Sequence, residues 1–302
     1  MSSTAPGPRG RVEPPVLNPD IREGDRFTDL PLMQAIASAA LAAGGPRYTV
    51  HPGDLAWWVH HEDPRKADSI SYWLWGDRGF VVLSDDEISA ITLPGEEVIP
   101  LIEWGLRRLD GKASLGWVSS ADLELEGFLQ GHGWRKTESM RAFEMQTAAP
   151  GDRYPESAPG WELRPLHGED EADARREASH RAFASTMGTE QHLQRYLRFM
   201  RSPVYERERD LVAVAPDGRI AAFLIWWPDP SGIAQIEPLG THADFQRQGL
   251  GRALVEFAAA RMSEAGMHTI RVCTEETREP ASSFYPAAGF TQVDSLGWWR
   301  AG

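Results

Sequence analysis

Residues 236–254 read IEPLGTHADFQRQGLGRAL, which places an apolar strand, a glycine-containing loop and the start of a helix in one continuous piece. The first amides of a helix have no partner within it, and they carry the positive end of the helix dipole. Anionic oxygens therefore bind well at such a terminus. Gly249 and Gly251 have no side chain, so a ligand can approach the backbone closely. This stretch predicts an anion-binding turn.

Two arginines, Arg247 and Arg252, add positive charge around the same turn. A Walker phosphate loop is excluded, because no Lys-Ser or Lys-Thr pair follows the glycines. A Rossmann dinucleotide fingerprint is disfavoured, because Leu254 stands where its third glycine belongs. Neither of these two nucleotide-binding motifs therefore describes the turn.

Residues 246–251, QRQGLG, match the Gln/Arg-x-x-Gly-x-Gly/Ala motif of the GNAT superfamily of N-acetyltransferases. Residues 281–290, ASSFYPAAGF, resemble the second signature of that family, in which a tyrosine precedes a Gly-Phe pair. The two signatures begin about 35 residues apart, and the resemblance covers residues 160–300. Arg278 departs from the pattern, because the family often has Asn at this position.

The resemblance implies an α/β fold with a mixed sheet, whose fourth and fifth strands separate to admit the pantetheine arm of coenzyme A. It implies acetyl-CoA as the co-substrate and no metal, with the amides of residues 239–241 facing the thioester carbonyl. The residues assigned in this way to acetyl-CoA are Leu239, Gly240, Thr241, Gln246, Arg247, Gln248, Gly249, Leu250, Gly251, Arg252 and Ser282.

Acetyl transfer to an amine requires a base, because an amine of pKa about 10 arrives protonated. Glu237 is the candidate base, acting through a water molecule. It interrupts an apolar strand where the family frequently has a carboxylate, and partial burial would raise its pKa. The resemblance implies that Tyr285 protonates the departing thiolate. A carboxylate that faces solvent and a core tyrosine with a backbone partner remain open as structural alternatives.

An acceptor pocket for an amine would use aromatic faces, which attract cations, and a carboxylate, which anchors an ammonium group. The predicted substrate-binding residues are Tyr205, Trp226, Trp227 and Asp229. Core packing explains at least one of the tryptophans equally well. Asp210 and Glu275 are weaker candidates of the same kind. We expect His242 to be solvated and Cys273 to be a small buried residue rather than a nucleophile.

Turn-forming residues at 149–160, APGDRYPESAPG, indicate a linker between two halves with a similar order of helices and strands. Each half is expected to form a mixed, mostly antiparallel sheet flanked by helices, so the fold class is α/β with two tandem GNAT-like domains. The predicted divisions are a disordered tail at 1–28, a degenerate GNAT-like domain at 29–148, a linker at 149–159 and a catalytic GNAT domain at 160–302.

Apolar periodicity and turn residues predict the individual elements. Helices are predicted at 30–43, 54–61, 96–109, 122–132, 168–184, 250–266 and 280–287, with one more that Thr189 caps. Strands are predicted at 69–75, 79–83, 88–93, 113–118, 141–146, 161–165, 211–215, 220–227, 233–239, 268–273 and 291–298.

The first half differs at the turn that would hold the phosphates, where it reads TLPGEE at residues 92–97. Glu96 and Glu97 would repel coenzyme A there. The arrangement resembles tandem GNAT proteins with one working half, so we expect the first half to brace the second and to shape the acceptor cleft. Three aromatic residues are predicted to pack rather than to line the cleft: His51, Trp57 and Trp58.

The 302-residue chain has a formal net charge of −13, which opposes binding to nucleic acid backbones. It lacks the run of roughly 18 apolar residues that a membrane helix needs. Cys273 is the only cysteine, so no intramolecular disulfide forms and a cytoplasmic location is expected. We expect no nucleic-acid, membrane or metal partner, and a homodimer is left open.

The predicted activity is acetyl transfer from acetyl-CoA to a primary amine of a small molecule. A non-catalytic acyl-CoA sensor or scaffold and a protein or peptide amine acetyltransferase are the alternatives. The sequence does not identify the acceptor.

Overall fold

The computed structural model describes residues 20–43, 50–61, 69–109, 113–147 and 160–301. Within these ranges twelve strands form one continuous sheet, and helices pack on both of its faces. The predicted mixed α/β fold with mostly antiparallel pairing is confirmed. None of the helices in the described ranges has the length and apolar character needed to span a lipid bilayer.

The helices are α1 (Leu30–Ala42), α2 (Pro52–His61), α3 (Ile99–Arg108), α4 (Leu123–Gly131), α5 (Ala172–Ala182), α6 (Thr189–Met200), α7 (Leu250–Glu264) and α8 (Glu279–Ala287). The strands are β1 (Ile21–Gly24), β2 (Ile70–Trp75), β3 (Gly79–Ser84), β4 (Glu87–Thr92), β5 (Ser114–Ser119), β6 (Arg135–Gln146), β7 (Glu162–Pro165), β8 (Asp210–Val214), β9 (Ile220–Pro228), β10 (Ile233–Thr241), β11 (Thr269–Glu275) and β12 (Thr291–Arg300).

The sheet runs in the order β1-β2-β3-β4-β5-β12-β6-β11-β10-β9-β8-β7. Among these strands the parallel neighbours are β4 with β5 and β10 with β11, and the remaining pairs are antiparallel. Each strand of the first half therefore corresponds to the strand six places later, which is the internal repeat that the sequence predicted.

The last strands of the two halves are exchanged. Strand β6 ends the first half but lies between β11 and β12, and β12 ends the second half but lies between β5 and β6. The exchange carries Phe143 of β6 into the core of the second half and Trp299 of β12 into the core of the first. The predicted division between 29–148 and 160–302 is thus crossed by both strands.

Each face of the sheet carries a core in each half. In the first half, α1 and α2 cover one face and α3 and α4 cover the other. In the second half, α5 and α6 cover one face, and α7 and α8 cover the other. Because both faces are covered, β9, which has a neighbouring strand on each side, is buried along nearly its whole length.

Helix α2 joins the two halves. Its Leu55 and Val59 pack in the core of the first half, whereas Ala56 packs in the core of the second. Just before the helix, His51 is fully buried, and its Nε2 lies 3.2 Å from the carbonyl oxygen of Ile233 on β10. Burial lowers the pKa of His51 to about 4, so the imidazole is neutral at pH 7.

Most predicted elements are confirmed to within a few residues, and four details are corrected. The tail prediction is wrong at residues 21–24, which form β1 and pair with β2, while residues 1–19 and the linker 149–159 lie outside the described residues. Helix α3 begins at Ile99 rather than at residue 96. Thr189 is the first residue of α6, and Gly188 is its cap. Strand β6 begins at Arg135, six residues early, because its exposed start pairs with β12.

We expect Gly53→Ala to lower the free energy of unfolding by about 1–3 kcal/mol, because overpacking of a close contact costs that much. A Cβ at position 53 would lie 2.2 Å from the Cβ of Trp227, so α2 would have to move away from β9. The control is Gly127→Ala within α4, where no atom lies within 4 Å, and which should stabilise by about 0.5–1 kcal/mol. Denaturant titration measures both, and equal values would contradict the packing of α2 on β9.

Candidate active site

The strands β10 and β11 diverge, as predicted. They pair in parallel only from Ile233–Gln235 of β10 to residues 269–271 of β11. Beyond that point β10 continues to Thr241, and its register with β9 shifts between Ile236 and Leu239. An opening therefore forms between the two strands, with Glu237 at its start and the predicted residues 239–241 along its edge.

The anion-binding turn lies at the end of this opening. Residues 246–249 are all exposed, and Gly249 caps α7 with a φ of +78° that favours glycine. No side chain caps the helix, so its first amides stay open to a ligand. Leu250 is buried beneath the turn and fixes it to the core. These features fit a phosphate group.

The arginines of the turn differ in their surroundings. Arg247 is exposed and has no ion-pair partner within the described residues, whereas Arg252 lies 2.8 Å from Glu256 one turn along α7. Ser282, which was also assigned to the co-substrate, is buried, and its hydroxyl donates to the carbonyl oxygens of Glu275 and Glu276. The structure therefore gives Ser282 a backbone-bracing position.

Glu237 has the titration that a base needs. Burial raises the pKa of its carboxyl to about 8, and the negative charge of Asp54 contributes in the same direction. The positive charge of Arg278 opposes the shift. Near neutral pH the group is therefore poised between its two protonation states.

Asp54 was not identified from the sequence. It belongs to α2 of the first half, is 3% exposed, and its Oδ2 accepts a hydrogen bond of 3.0 Å from the amide of His51. Burial raises the pKa of Asp54 to about 7. Only the docking of α2 on β10 brings this carboxyl near Glu237, so no local sequence pattern indicates it.

Tyr285 of α8 lies in the core of the second half and is 6% exposed. Burial raises its pKa, and the charges of Glu237 and Cys273 raise it further, so the hydroxyl keeps its proton at neutral pH. Its ring lies 5.4 Å from that of Phe143. The hydroxyl has no hydrogen-bond partner among the described residues. The alternative of a core tyrosine bound to a backbone group is thus not observed.

A cavity of about 240 Å³ lies beside Glu237 and Pro238. Its walls come from α2, α5 and α6, so both halves of the chain form it. Trp57 lines this cavity, contrary to the prediction that it only packs, and its ring stacks on His61 at 3.6 Å. The predicted bracing role of the first half therefore includes a wall of this site.

The predicted substrate-binding residues do not line this cavity. Trp226 and Trp227 are buried in the cores on opposite faces of β9, and the Trp227 indole donates to the carbonyl oxygen of Glu237 at 2.8 Å. Asp229 is 1% exposed and accepts a hydrogen bond from the amide of Ser231 in a turn. The hydroxyl of Tyr205 donates a hydrogen bond of 3.4 Å to Oδ2 of Asp210.

The remaining candidates have structural positions. His242 is 6% exposed, not solvated as predicted, and its Nδ1 accepts from the amide of Asp244 at 3.1 Å. Cys273 packs beside Ala142 and Leu296. Glu275 lies 3.5 Å from Arg278 at the exposed start of α8. Within the described part of the chain, no three His, Cys, Asp or Glu side chains are grouped to hold a metal ion.

The first half keeps a counterpart of the opening. Strands β4 and β5 pair in parallel only at Glu87 and Ile88, and a cleft of about 830 Å³ lies where they diverge. Glu96, Glu97 and Glu103 line this cleft near the start of α3. Carboxylates at the end of a helix that attracts anions would repel a diphosphate, which agrees with the predicted difference between the halves.

Comparison with known proteins agrees with this geometry. The model of the acetyltransferase (GNAT) family matches residues 173–290. A mycothiol acetyltransferase of Arthrobacter sp. (strain FB24) is 33% identical over 92 residues, which span 28% of this chain and 28% of that protein.

Solved structures share the fold over both halves. A tandem GNAT protein from the clavulanic acid biosynthesis pathway has a TM-score of 0.63 at 16% identity, covering 93% of this chain and 98% of its own. A GCN5-related N-acetyltransferase from Sphaerobacter thermophilus has a TM-score of 0.60 at 17% identity, covering 93% and 94%. The fold similarity therefore extends over both halves of this chain and includes a tandem GNAT protein.

We expect the titration of Glu237 to respond in opposite directions to its two charged neighbours. Asp54→Asn removes a negative charge and should lower the pKa of Glu237 from about 8, whereas Arg278→Gln removes a positive charge and should raise it. Carbon-detected NMR of the glutamate carboxyls measures both, with the signal assigned through Glu237→Gln. Asp77→Asn, at an exposed position in the turn between β2 and β3, is the control. A midpoint that neither neighbour moves would refute the proximity of these groups.

Proposed function

Since residues 173–290 match the model of the acetyltransferase (GNAT) family, we propose that the protein transfers an acetyl group from acetyl-CoA to a primary amine of a small molecule. The observation that carries this proposal is the electrostatic coupling of Glu237 and Tyr285 at the opening beyond residue 235 of β10. Glu237 can accept a proton near neutral pH, whereas Tyr285 retains its proton there, and such a pair is suited to general base and general acid roles.

The turn before α7 holds the phosphates of the co-substrate in this proposal. The open amides of α7 and the exposed guanidinium of Arg247 provide hydrogen bonds and positive charge for the diphosphate. Residues 239–241 at the edge of β10 offer backbone amides for the thioester carbonyl, which gains negative charge as the amine attacks. Acetyl-CoA supplies the activated acetyl group.

Glu237 and Tyr285 carry out the proton transfers in this proposal. Glu237, acting through water, takes the proton that the ammonium group must lose before its nitrogen attacks the acetyl carbon. The nitrogen then loses a second proton to solvent as the amide forms, and, as the carbon–sulfur bond breaks, the hydroxyl of Tyr285 donates its proton to the departing thiolate. The products are the N-acetylated amine and free coenzyme A, and proton exchange with water restores both side chains.

The size and enclosure of the cavity support a small acceptor. At about 240 Å³ it is below the roughly 300–1,000 Å³ of sites for drug-sized ligands. Helix α2 of the first half closes one side of it with Trp57 and His61. A peptide needs an open groove, so this enclosure argues against protein or peptide acceptors.

The direct test is release of free thiol from acetyl-CoA with a panel of small primary amines. We expect turnover by the wild type and at least a roughly tenfold loss in both Glu237→Gln and Tyr285→Phe, because removal of a general acid or base costs that much or more. Glu126→Gln on α4, remote from the site, should keep full activity. Tight coenzyme binding without turnover of any amine would instead indicate a non-catalytic acyl-CoA sensor.

The pH profile should reflect Glu237. Its carboxyl is protonated below its pKa and becomes a base above it, so kcat/KM should rise with pH, reach half of its maximum near pH 8 and level off above that pH. In Glu237→Gln the rise should continue toward the pKa of the acceptor amine, about 10, because only the free amine then reacts. The profiles are measured at saturating acetyl-CoA. The same inflection near pH 8 in both proteins would exclude Glu237 as the base.

A further inference from the structure

The cavity beside Glu237 has a wall that is rich in positive charge. Arg175 and Arg176 of α5 and Arg195 of α6 all line it, whereas Glu237 is the only carboxylate that does so among the described residues. A pocket that selected simple cationic amines would be expected to have the opposite balance. The positive charge of this wall therefore favours an acceptor that carries an anionic group.

Arg175 is the most enclosed of these arginines, with 2% exposure. Its Nε donates to Oδ1 of Asp210 at 3.2 Å, and its guanidinium lies 3.7 Å from the centre of the Phe223 ring. These two contacts fix the plane of the guanidinium. Among the described residues, Nε is its only hydrogen-bonded nitrogen, so the terminal N–H groups have no acceptor.

Asp210 cannot supply those missing acceptors, because it is already engaged. It is fully buried, it does not line the cavity, and its Oδ2 accepts hydrogen bonds from the hydroxyls of Tyr196 and Tyr205. A buried arginine fork with open N–H groups at a cavity wall is suited to bidentate binding of a carboxylate or phosphate.

His192 provides a second, independent sign of a missing ligand. The side chain lines the same cavity and is 8% exposed, yet its Nδ1 has no hydrogen-bond partner. Buried polar atoms are normally paired, so an orphaned nitrogen beside a cavity points to a group that binds there. Burial and then the charges of Arg195 and Arg176 lower the pKa of His192 to about 4, which reflects the positive potential of the wall.

We propose that the acceptor amine also carries an anionic oxygen group, a carboxylate or a phosphate, which binds to the guanidinium of Arg175 and to His192 while the amine lies near Glu237. This inference rests on the proposed acetyl transfer and names the class of its acceptor. Arg195, which contacts His61, adds to the positive potential, whereas ion pairs with Asp173 and Glu177 balance the charge of Arg176. The acceptor is thus a small amino acid-like or amino phosphate-like molecule.

The test compares acceptors that differ only in the anionic group. The pairs are glycine with glycinamide, serine with serinamide, and O-phosphoethanolamine with ethanolamine, assayed by thiol release from acetyl-CoA. We expect the anionic member of at least one pair to have a kcat/KM at least tenfold higher, and the pairs distinguish carboxylate from phosphate. Equal rates within every pair, or a preference for the neutral members, would overturn the proposal.

Variants locate the effect. Arg175→Gln should lower kcat/KM for the anionic member at least tenfold more than for the neutral member, a selective loss that a misfolded protein would not show. The matched control is Arg198→Gln, an exposed arginine of α6 that does not line the cavity, and it should keep the preference. A preference that persists in Arg175→Gln would contradict the assignment.

Calorimetric titration with glycolate and with inorganic phosphate separates this inference from the proposed activity. Binding by the wild type that is lost in Arg175→Gln supports the anion site even if no amine is acetylated, in which case acetyl transfer alone is rejected. Turnover of neutral amines without anion binding supports acetyl transfer and rejects the anion site alone. The absence of both turnover and Arg175-dependent binding overturns the two proposals together.

Discussion

The separation of β10 from β11 beyond residues 235 and 271 is the constraint on which the site depends. A strand that leaves its neighbour exposes backbone groups that must find other partners. Here β10 remains paired with β9 as far as Thr241, and β11 remains paired with β6 as far as Glu275. Each strand therefore keeps one hydrogen-bonded neighbour beside the gap. The exchanged strand β6 is therefore what permits the opening to persist.

Helix α2 makes the first half part of the candidate site rather than only a brace. It packs in both cores, and it places Asp54, Trp57 and His61 beside the second half's own carboxylate. The raised pKa of Glu237 is thus a property of the assembled chain, because part of it comes from a charge on the other half. The acidic turn of the first half, by contrast, carries Glu96 and Glu97, which would repel a diphosphate.

Elements and motifs that lie within one stretch of chain were predictable. The strand, turn and helix around Gly249 follow from local spacing, and family signatures indicate Glu237 and Tyr285. The acceptor wall was not predictable, because Arg175 and His192 lie on different helices and meet only through packing. Trp226 and Trp227 do not line the cavity, because successive residues of a strand point to opposite faces. Both faces of β9 are covered, so each ring enters a core.

The position of β12 affects how the chain folds during synthesis and how far the two halves depend on each other. Synthesis proceeds from the N-terminus, so one edge of β5 has no partner until β12 has been made. An exposed strand edge invites pairing with other chains, which makes this interval the vulnerable part of biogenesis. Separation of the halves would remove β12 from between β5 and β6 and β6 from between β12 and β11, so neither half could complete its strand pairing alone.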